Sequence, residues 1–316
     1  MRIVGAEDIA RTLTYTALIA ALREAFQADI TVPVRHHHTI AQPGTDATLL
    51  LMPAWTNGPG ERFLGCKAVT VFPDNVTGGL PSLYGSYQLM SGDTGAPLAV
   101  MDGRVLTAWR TAAASALAAS FLARADASHL LMIGAGALAP HLIRAHASVR
   151  PIRRVTVWNR TRARAEEIAS LLAGDGFDLS VAESLEDAVR AADIVSCATL
   201  ATAPLVHGTW LKDGAHLDLV GGFRPHMREA DDMAVTRARL YVDARAALHE
   251  AGDLSDPLAR GVIDERDVQG DLFELCRGTA QGRGTASEIT LFKSVGNAIE
   301  DLAAAMLVWR TMAPRA

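Results

Sequence analysis

From about residue 128 onward the chain alternates short, strand-like runs rich in apolar residues with stretches whose apolar positions recur at helical spacing. HLLMIGAG (129–136) is an apolar run entering a glycine turn, and ALAPHLIRAHASV continues it as a helix. RRVTVWNR reads as a second strand and TRARAEEIASLLAG as an amphipathic helix closed by Gly174. DLSVAES is a third strand, and SLEDAVRAAD a helix with Ser184 placed to cap it and Glu186 in its first turn. DIVSCATL, AHLDLVGG and RLYVDA are further apolar strands. Apolar strands alternating with amphipathic helices build a parallel, doubly wound α/β sheet, expected here over residues 121–290.

The first 120 residues carry a different pattern. A helix at TALIAALREAFQAD precedes four strand-like runs, ATLLLMPAW, FLGCKAVTVFP, LYGSYQLMSG and APLAVMDG, separated by Gly, Pro, Asn and Asp turns. This is an α+β domain built on a meandering sheet. After residue 290, SVGNAIEDLAAAMLVWRTMA is a long amphipathic helix, and the segment 291–316 is expected to return to the first domain.

Composition narrows the class. At 49% hydrophobic and 21% charged residues the chain reads as globular, and a net charge of −5 gives no attraction for nucleic acid or an anionic membrane. The Ala-rich run TAAASALAASFLARA is expected to be too short and interrupted to span a bilayer. The N-terminal MRIVGAEDIARTL has early acids and no continuous apolar core, unlike a signal peptide. Cys66, Cys197 and Cys276 lie far apart without metal spacing and fit a reducing cytoplasm, packed as small hydrophobes.

Candidate chemistry starts at the glycine turn. Gly134, Gly136 and Ala139 match G-x-G-x-x-G/A where a strand runs into a helix, the context that seats a dinucleotide pyrophosphate on a helix N-terminus. The second strand ends in Asn159, Arg160 and Thr161 instead of the acid that grips a ribose 2′-hydroxyl. An arginine there can take a 2′-phosphate, so NADPH is favoured, with NADH possible. In the first domain Arg35, Lys67 and Arg110 stand out in apolar surroundings and together indicate a carboxylate-bearing substrate. Lys67 is mid-strand, where a charge is costly unless paired. Arg110 is expected in the first turn of an Ala-rich helix, a position suited to an anion. The paired glycines 221 and 222, after the strand ending at Val220, are expected to clear room for a ligand. His36, His37 and His38 read as loop or edge histidines and not as a metal site, since a strand points neighbours to opposite faces.

Taken together, GCKAVTVFPDN, GLPSLYGSYQLMSG, APLAVMDGRVLTAWRTAAASALA, IGAGALA, LVGGFRP and EITLFKSVGNAIEDLAA resemble the ornithine cyclodeaminase/mu-crystallin family across nearly the whole chain. The resemblance implies a Rossmann domain joined to an N-terminal substrate domain that builds a dimer. It places Arg35, Lys67 and Arg110 on the substrate carboxylate, with Met52, Phe223 and Val295 completing the substrate set. It assigns Ser82, Arg110, Gly134, Gly136, Ala137, Leu138, Thr199, Val220, Gly221 and Ser294 to the cofactor.

One position departs. The deaminating members carry an aspartate where this chain has Phe223, and the nearest acid, Glu229, lies six residues on. A ketimine already has its C=N bond and needs no activated water. The pattern therefore resembles the branch that reduces Δ1-pyrroline-2-carboxylate, as in hydroxyproline and proline breakdown, and possible six-ring ketimines. Lys67 either keeps the imine nitrogen protonated or only clamps the carboxylate. An ornithine cyclodeaminase or amino-acid dehydrogenase recruiting another acid, and a non-enzymatic NADPH-binding protein, are the alternatives.

Overall fold

The computed structural model describes residues 1–312, the side chain of Val76 excepted, so residues 313–316 of the expected C-terminal segment lie outside the described residues. Two compact units emerge: Met1–Thr111 together with Asn297 onward, and Ala112–Gly296.

The first unit contains β1 (Arg2–Val4), α1 (Ala6–Thr12), α2 (Tyr15–Gln27), β2 (Ile30–Thr31), β3 (His36–Ile40), β4 (Ala47–Thr56), β5 (Phe63–Val71), β6 (Leu83–Ser91) and β7 (Pro97–Asp102). Its sheet runs β1-β7-β6-β5-β4-β2, with β3 also on β4. β5 alternates buried and half-buried positions, so Phe63, Gly65, Lys67 and Val69 share the core face. Leu18, Leu22 and Phe26 of α2 are buried in this unit, as are Ile299, Leu302 and Val308 of the last helix, which packs on α2 and on β4–β6. Each such side chain contributes roughly 1.5–3 kcal/mol of burial.

α3 (Gly103–Leu122) begins well before the Ala-rich run that announced it. The reason is Asp102, whose Oδ1 accepts from the backbone N–H of Arg104 and of Val105 at 2.9 Å each, capping the helix there. Two expectations are corrected. The division between the units falls within α3, at Thr111/Ala112, and not near residue 120. The helix is also long and apolar enough, by length and composition, to cross a membrane. Its C-terminal half, Ala112 to Leu122, is instead largely buried in protein, as a core helix is.

The second unit contains β8 (His129–Ile133), α4 (Ala139–Ala147), β9 (Arg154–Trp158), α5 (Arg162–Leu171), β10 (Asp178–Val181), α6 (Leu185–Ala191), β11 (Ile194–Cys197), β12 (His216–Leu219), α7 (Asp232–Arg237) and β13 (Arg239–Val242). α8 (Ala247–Glu250), α9 (Gly252–Ala259), β14 (Val268–Asp271), α10 (Leu272–Arg277) and β15 (Thr290–Lys293) complete it; α11 (Ala298–Met312) belongs to the first unit. The strands are all parallel, in the order β10-β9-β8-β11-β12-β15-β13-β14. β8, β11, β12 and β15 are buried at every position, including their polar members His129, Ser196, His216, Asp218, Thr290 and Lys293. The expected Ser184 cap is present, accepting from Asp187 N–H at 3.2 Å. α5 ends at Leu171, short of the Gly174 expected to close it. The chain leaves β8 toward β9 and β10, then returns on the other side at β11. A crevice at the carboxyl ends of β8 and β11 is therefore built into this doubly wound, Rossmann-type topology.

Candidate active site

The crevice is a groove of about 440 Å³ within the second unit. Gly134, Ala135, Gly136 and Leu138 line one part, and Trp158, Asn159, Arg160 and Thr161 another. Ala198, Thr199, Leu200, Ala201, Leu205, Val220, Gly221 and Phe223 complete the wall. Gly134 has φ +101°, and a Cβ there would lie 2.5 Å from the Ala198 carbonyl oxygen. At Gly136 an added Cβ would meet nothing within 4 Å, so the space over the turn is open. α4 starts at Ala139 without a side-chain cap; the Ala139 N–H donates to the Gly136 carbonyl at 3.0 Å, the Leu142 N–H to the Leu138 carbonyl at 2.9 Å, and Pro140 has no N–H. The crevice and the open glycine turn fit a dinucleotide, and no acid stands at the end of β9. Asn159 is committed to the local turn, its Nδ2 donating to the Thr161 carbonyl at 2.9 Å, while Arg160 is exposed.

Elsewhere the predicted cofactor set is dispersed. Ala137 is exposed beside the turn but off the groove wall, and Ser294 is buried at the end of β15. Half-buried Val295 donates its N–H to Asp243 Oδ2 at 2.9 Å. Ser82 and Arg110 belong to the first unit.

In that unit the strand register gathers the substrate candidates. Met52 pairs with Lys67, Lys67 with Tyr87, and Tyr87 with Met101, so one row on one face holds all four, each buried. Half-buried Arg35 directly precedes β3, whose first pair, His36 with Leu51, adjoins this row. His36–His38 form the exposed start of that edge strand. Lys67 is only 2% exposed, and its Nζ lies 2.6 Å from Asp301 Oδ2 and 3.5 Å from Thr107 Oγ1. Arg110 donates from Nη1 to Glu300 Oε2 at 2.7 Å and from Nε to Asp301 Oδ1 at 3.0 Å. Burial, reinforced by the Arg110 charge and opposed by Asp301, brings the Lys67 ammonium down to about 8. Burial, and then the Asp301 charge, pushes the Tyr87 phenol well above its ordinary range.

The sequence carries a model of the ornithine cyclodeaminase/mu-crystallin family over residues 2–314. The chain belongs to the ornithine cyclodeaminase/mu-crystallin family. Within it, the chain is 43% identical to Protein SAR DEFICIENT 4 of Arabidopsis thaliana, covering 99% of this chain and 98% of that one. It is 39% identical to a Δ1-pyrroline-2-carboxylate reductase of Paracoccus denitrificans, with 97% and 95% covered. The solved structure of the Thermococcus litoralis Δ1-pyrroline-2-carboxylate reductase with NADH and L-proline superposes with a TM-score of 0.91 at 34% identity, covering 98% and 97% of the two chains.

Against this family background, several sequence expectations need correction. Arg110 is not in the first turn of its helix: α3 starts at Gly103, so the dipole argument for an anion there lapses and two carboxylates on α11 take its place. Those carboxylates, Glu300 and Asp301, were hidden because adjacent acids in a helix's first turn read as ordinary complements of its dipole. The paired glycines do not chiefly clear room for a ligand. A Cβ at Gly221 would lie 2.0 Å from the Thr199 carbonyl oxygen and 2.5 Å from Glu229 Oε1, and one at Gly222 would lie 2.7 Å from Asp253 Oδ2. Glu229, Asp253 and Lys293 form a fully buried cluster behind the groove. Burial pushes the Glu229 carboxyl above its ordinary range and Lys293 opposes this. The Thr199 backbone and side-chain donors also oppose that rise. Phe223 is 44% exposed and faces the groove.

Proposed function

We propose that this protein reduces a cyclic ketimine carboxylate, Δ1-pyrroline-2-carboxylate in the first instance, to the L-imino acid, using NADPH in preference to NADH. The carrying observation is the groove wall. Among the described residues that line it, Arg160 is the sole charged side chain, and Phe223 stands there with no carboxylate on the wall. Such a wall suits a substrate whose C=N bond already exists, and the family membership points to an NAD(P)H-dependent oxidoreductase acting on that bond.

A bound reduced nicotinamide supplies the hydride. The chain's own groups set the rest. Arg110 and Arg35 hold the substrate carboxylate and fix the ring, which converts an encounter into an oriented pair. Lys67 keeps the imine nitrogen protonated, which makes its carbon the better hydride acceptor. Lys67 and Arg110 balance Glu300 and Asp301, so this quartet is neutral as a whole. A protonated ketimine carboxylate is also a neutral zwitterion, and it enters such surroundings without adding net charge to a buried site. Formation of proline from Δ1-pyrroline-2-carboxylate with matching NADPH oxidation tests the reading. The second reading, a cyclodeaminase that recruits Asp301 as its acid, draws on the burial of that carboxylate against Lys67 and requires ammonia release from ornithine.

The NADPH preference rests on Asn159, Arg160 and Thr161. Arg160→Ala removes a charged phosphate contact of about 1.5–3 kcal/mol, so the preference narrows by roughly tenfold to a hundredfold. Comparison of kcat/KM for the two cofactors checks this, and equal efficiency in the unmodified protein contradicts it. We also propose a cytoplasmic homodimer formed through the first unit's sheet, because Leu83 and Tyr84 of β6, and Val34 and Leu80 of neighbouring loops, are exposed. Light scattering at micromolar concentration is expected to give the mass of two chains; the mass of one contradicts it.

A further inference from the structure

β11 and β12 pair in register from Ile194 with His216 to Cys197 with Leu219, and the Val220 N–H still donates to the Cys197 carbonyl at 2.8 Å. Beyond that point the ladder stops, and the N–H groups of Thr199, Gly221 and Gly222 need another acceptor, since buried backbone donors are costly unpaired. One side chain takes them all. Glu229 Oε1 accepts from Thr199 N–H at 2.6 Å and from Thr199 Oγ1 at 2.8 Å. Its Oε2 accepts from Gly221 N–H at 2.8 Å and from Gly222 N–H at 3.2 Å. Asp253 Oδ1 in turn accepts from the N–H of Glu229 itself at 2.7 Å, and Lys293 Nζ sits 3.1 Å from Asp253 Oδ2 and 4.0 Å from Glu229 Oε2. The glycines leave the space these carboxylates fill.

We propose that Glu229 is a positioning residue for the cofactor. It joins the ends of β11 and β12 where they line the groove, and so fixes the wall formed by Thr199, Val220 and Gly221. The proposal rests on the groove being the nicotinamide-cofactor site. It also accounts for an acid that lies close to Phe223 in sequence yet stands behind the wall and not in it. A carboxylate suits the task because each oxygen accepts from two donors at once. A glutamine keeps the shape but turns an NH2 group toward one pair of N–H donors.

The test is Glu229→Gln in the whole 316-residue chain, with NADPH affinity followed by fluorescence titration and imine kinetics at saturating NADPH. The NADPH Kd is expected to rise about tenfold to a hundredfold, while the imine KM changes by no more than about twofold. A folded Glu229→Gln protein with unchanged NADPH Kd overturns the proposal, whatever its melting temperature, because a merely structural role lowers stability without that split. Should the variant fail to fold, Thr199→Val removes the hydroxyl, which donates to Glu229 and accepts from the Ala201 N–H at 3.3 Å, and is expected to raise the Kd about two- to fivefold; no change again overturns it. Binding of neither NADPH nor NADH by the unmodified protein removes the groove reading and this proposal with it. Binding of NADPH without imine reduction removes the substrate reading alone, and the Kd ratio still decides this one.

Discussion

Lys67→Ala is expected to lower ketimine reduction by about 10²–10⁴, the usual share of a positioned proton donor, with the NADPH Kd nearly unchanged. The same substitution leaves Asp301 and Glu300 facing Arg110 alone, an uncompensated buried charge that costs about 3–5 kcal/mol. Stability and chemistry are separable, because Lys67→Ala combined with Asp301→Asn removes one charge of each sign from the quartet. The double variant is expected to recover much of the lost melting temperature and none of the lost rate. Recovery of both assigns Lys67 to structure. The unmodified enzyme adds a pH signature. With Lys67 near 8, kcat falls as pH rises through that value, and Lys67→Arg moves the limb upward. The shift also has a stability sign. A lysine depressed in the folded state binds its proton less tightly than in the unfolded chain, so it destabilises most below about 8. That penalty is relieved as pH rises toward the ordinary lysine value of about 10.4.

Gly221→Ala and Gly136→Ala form a pair with opposite structural consequences. At Gly221 the new methyl would sit 2.0 Å from the Thr199 carbonyl oxygen and 2.2 Å from the Thr199 nitrogen, backbone atoms that move only if the ends of β11 and β12 separate. Overpacking of that kind costs about 1–3 kcal/mol. A distorted groove wall is expected to weaken NADPH by tenfold to a hundredfold, at about 1.4 kcal/mol per factor of ten. At Gly136 the methyl meets nothing in the protein, so the melting temperature holds while the methyl intrudes where the pyrophosphate is placed. Calorimetric titration with NADPH, paired with thermal unfolding, checks both. A Gly136→Ala variant that binds NADPH normally displaces the cofactor from the glycine turn.

Much of this was legible in the chain. β8, β9, β11 and β12 are buried throughout or nearly so, and burial on both faces writes itself as a run rich in apolar residues. The glycine turn was legible because its spacing is a backbone requirement: Gly134 is held at φ +101° against a neighbouring carbonyl. β15 was not read as a strand, because it enters the sheet out of sequence order, between β12 and β13. The charge on Lys67 demanded a partner, and the demand was visible while the partner was not. Asp301, which also holds Arg110 from 191 residues away, is brought there by the packing of α11 on β5, and no local pattern encodes that approach. Glu229 was dismissed on distance along the chain, whereas a loop folded behind the groove brings it within 2.6 Å of Thr199 N.

The central claim is that the protein acts on a ready-made C=N bond and does not carry out a deamination. Parallel steady-state assays of one preparation decide it: NADPH oxidation with Δ1-pyrroline-2-carboxylate, and ammonia release from ornithine with NAD⁺ or NADP⁺. Saturable NADPH oxidation yielding proline, with no ammonia from ornithine, is the predicted result; ammonia release and cyclisation of ornithine without imine reduction would contradict it.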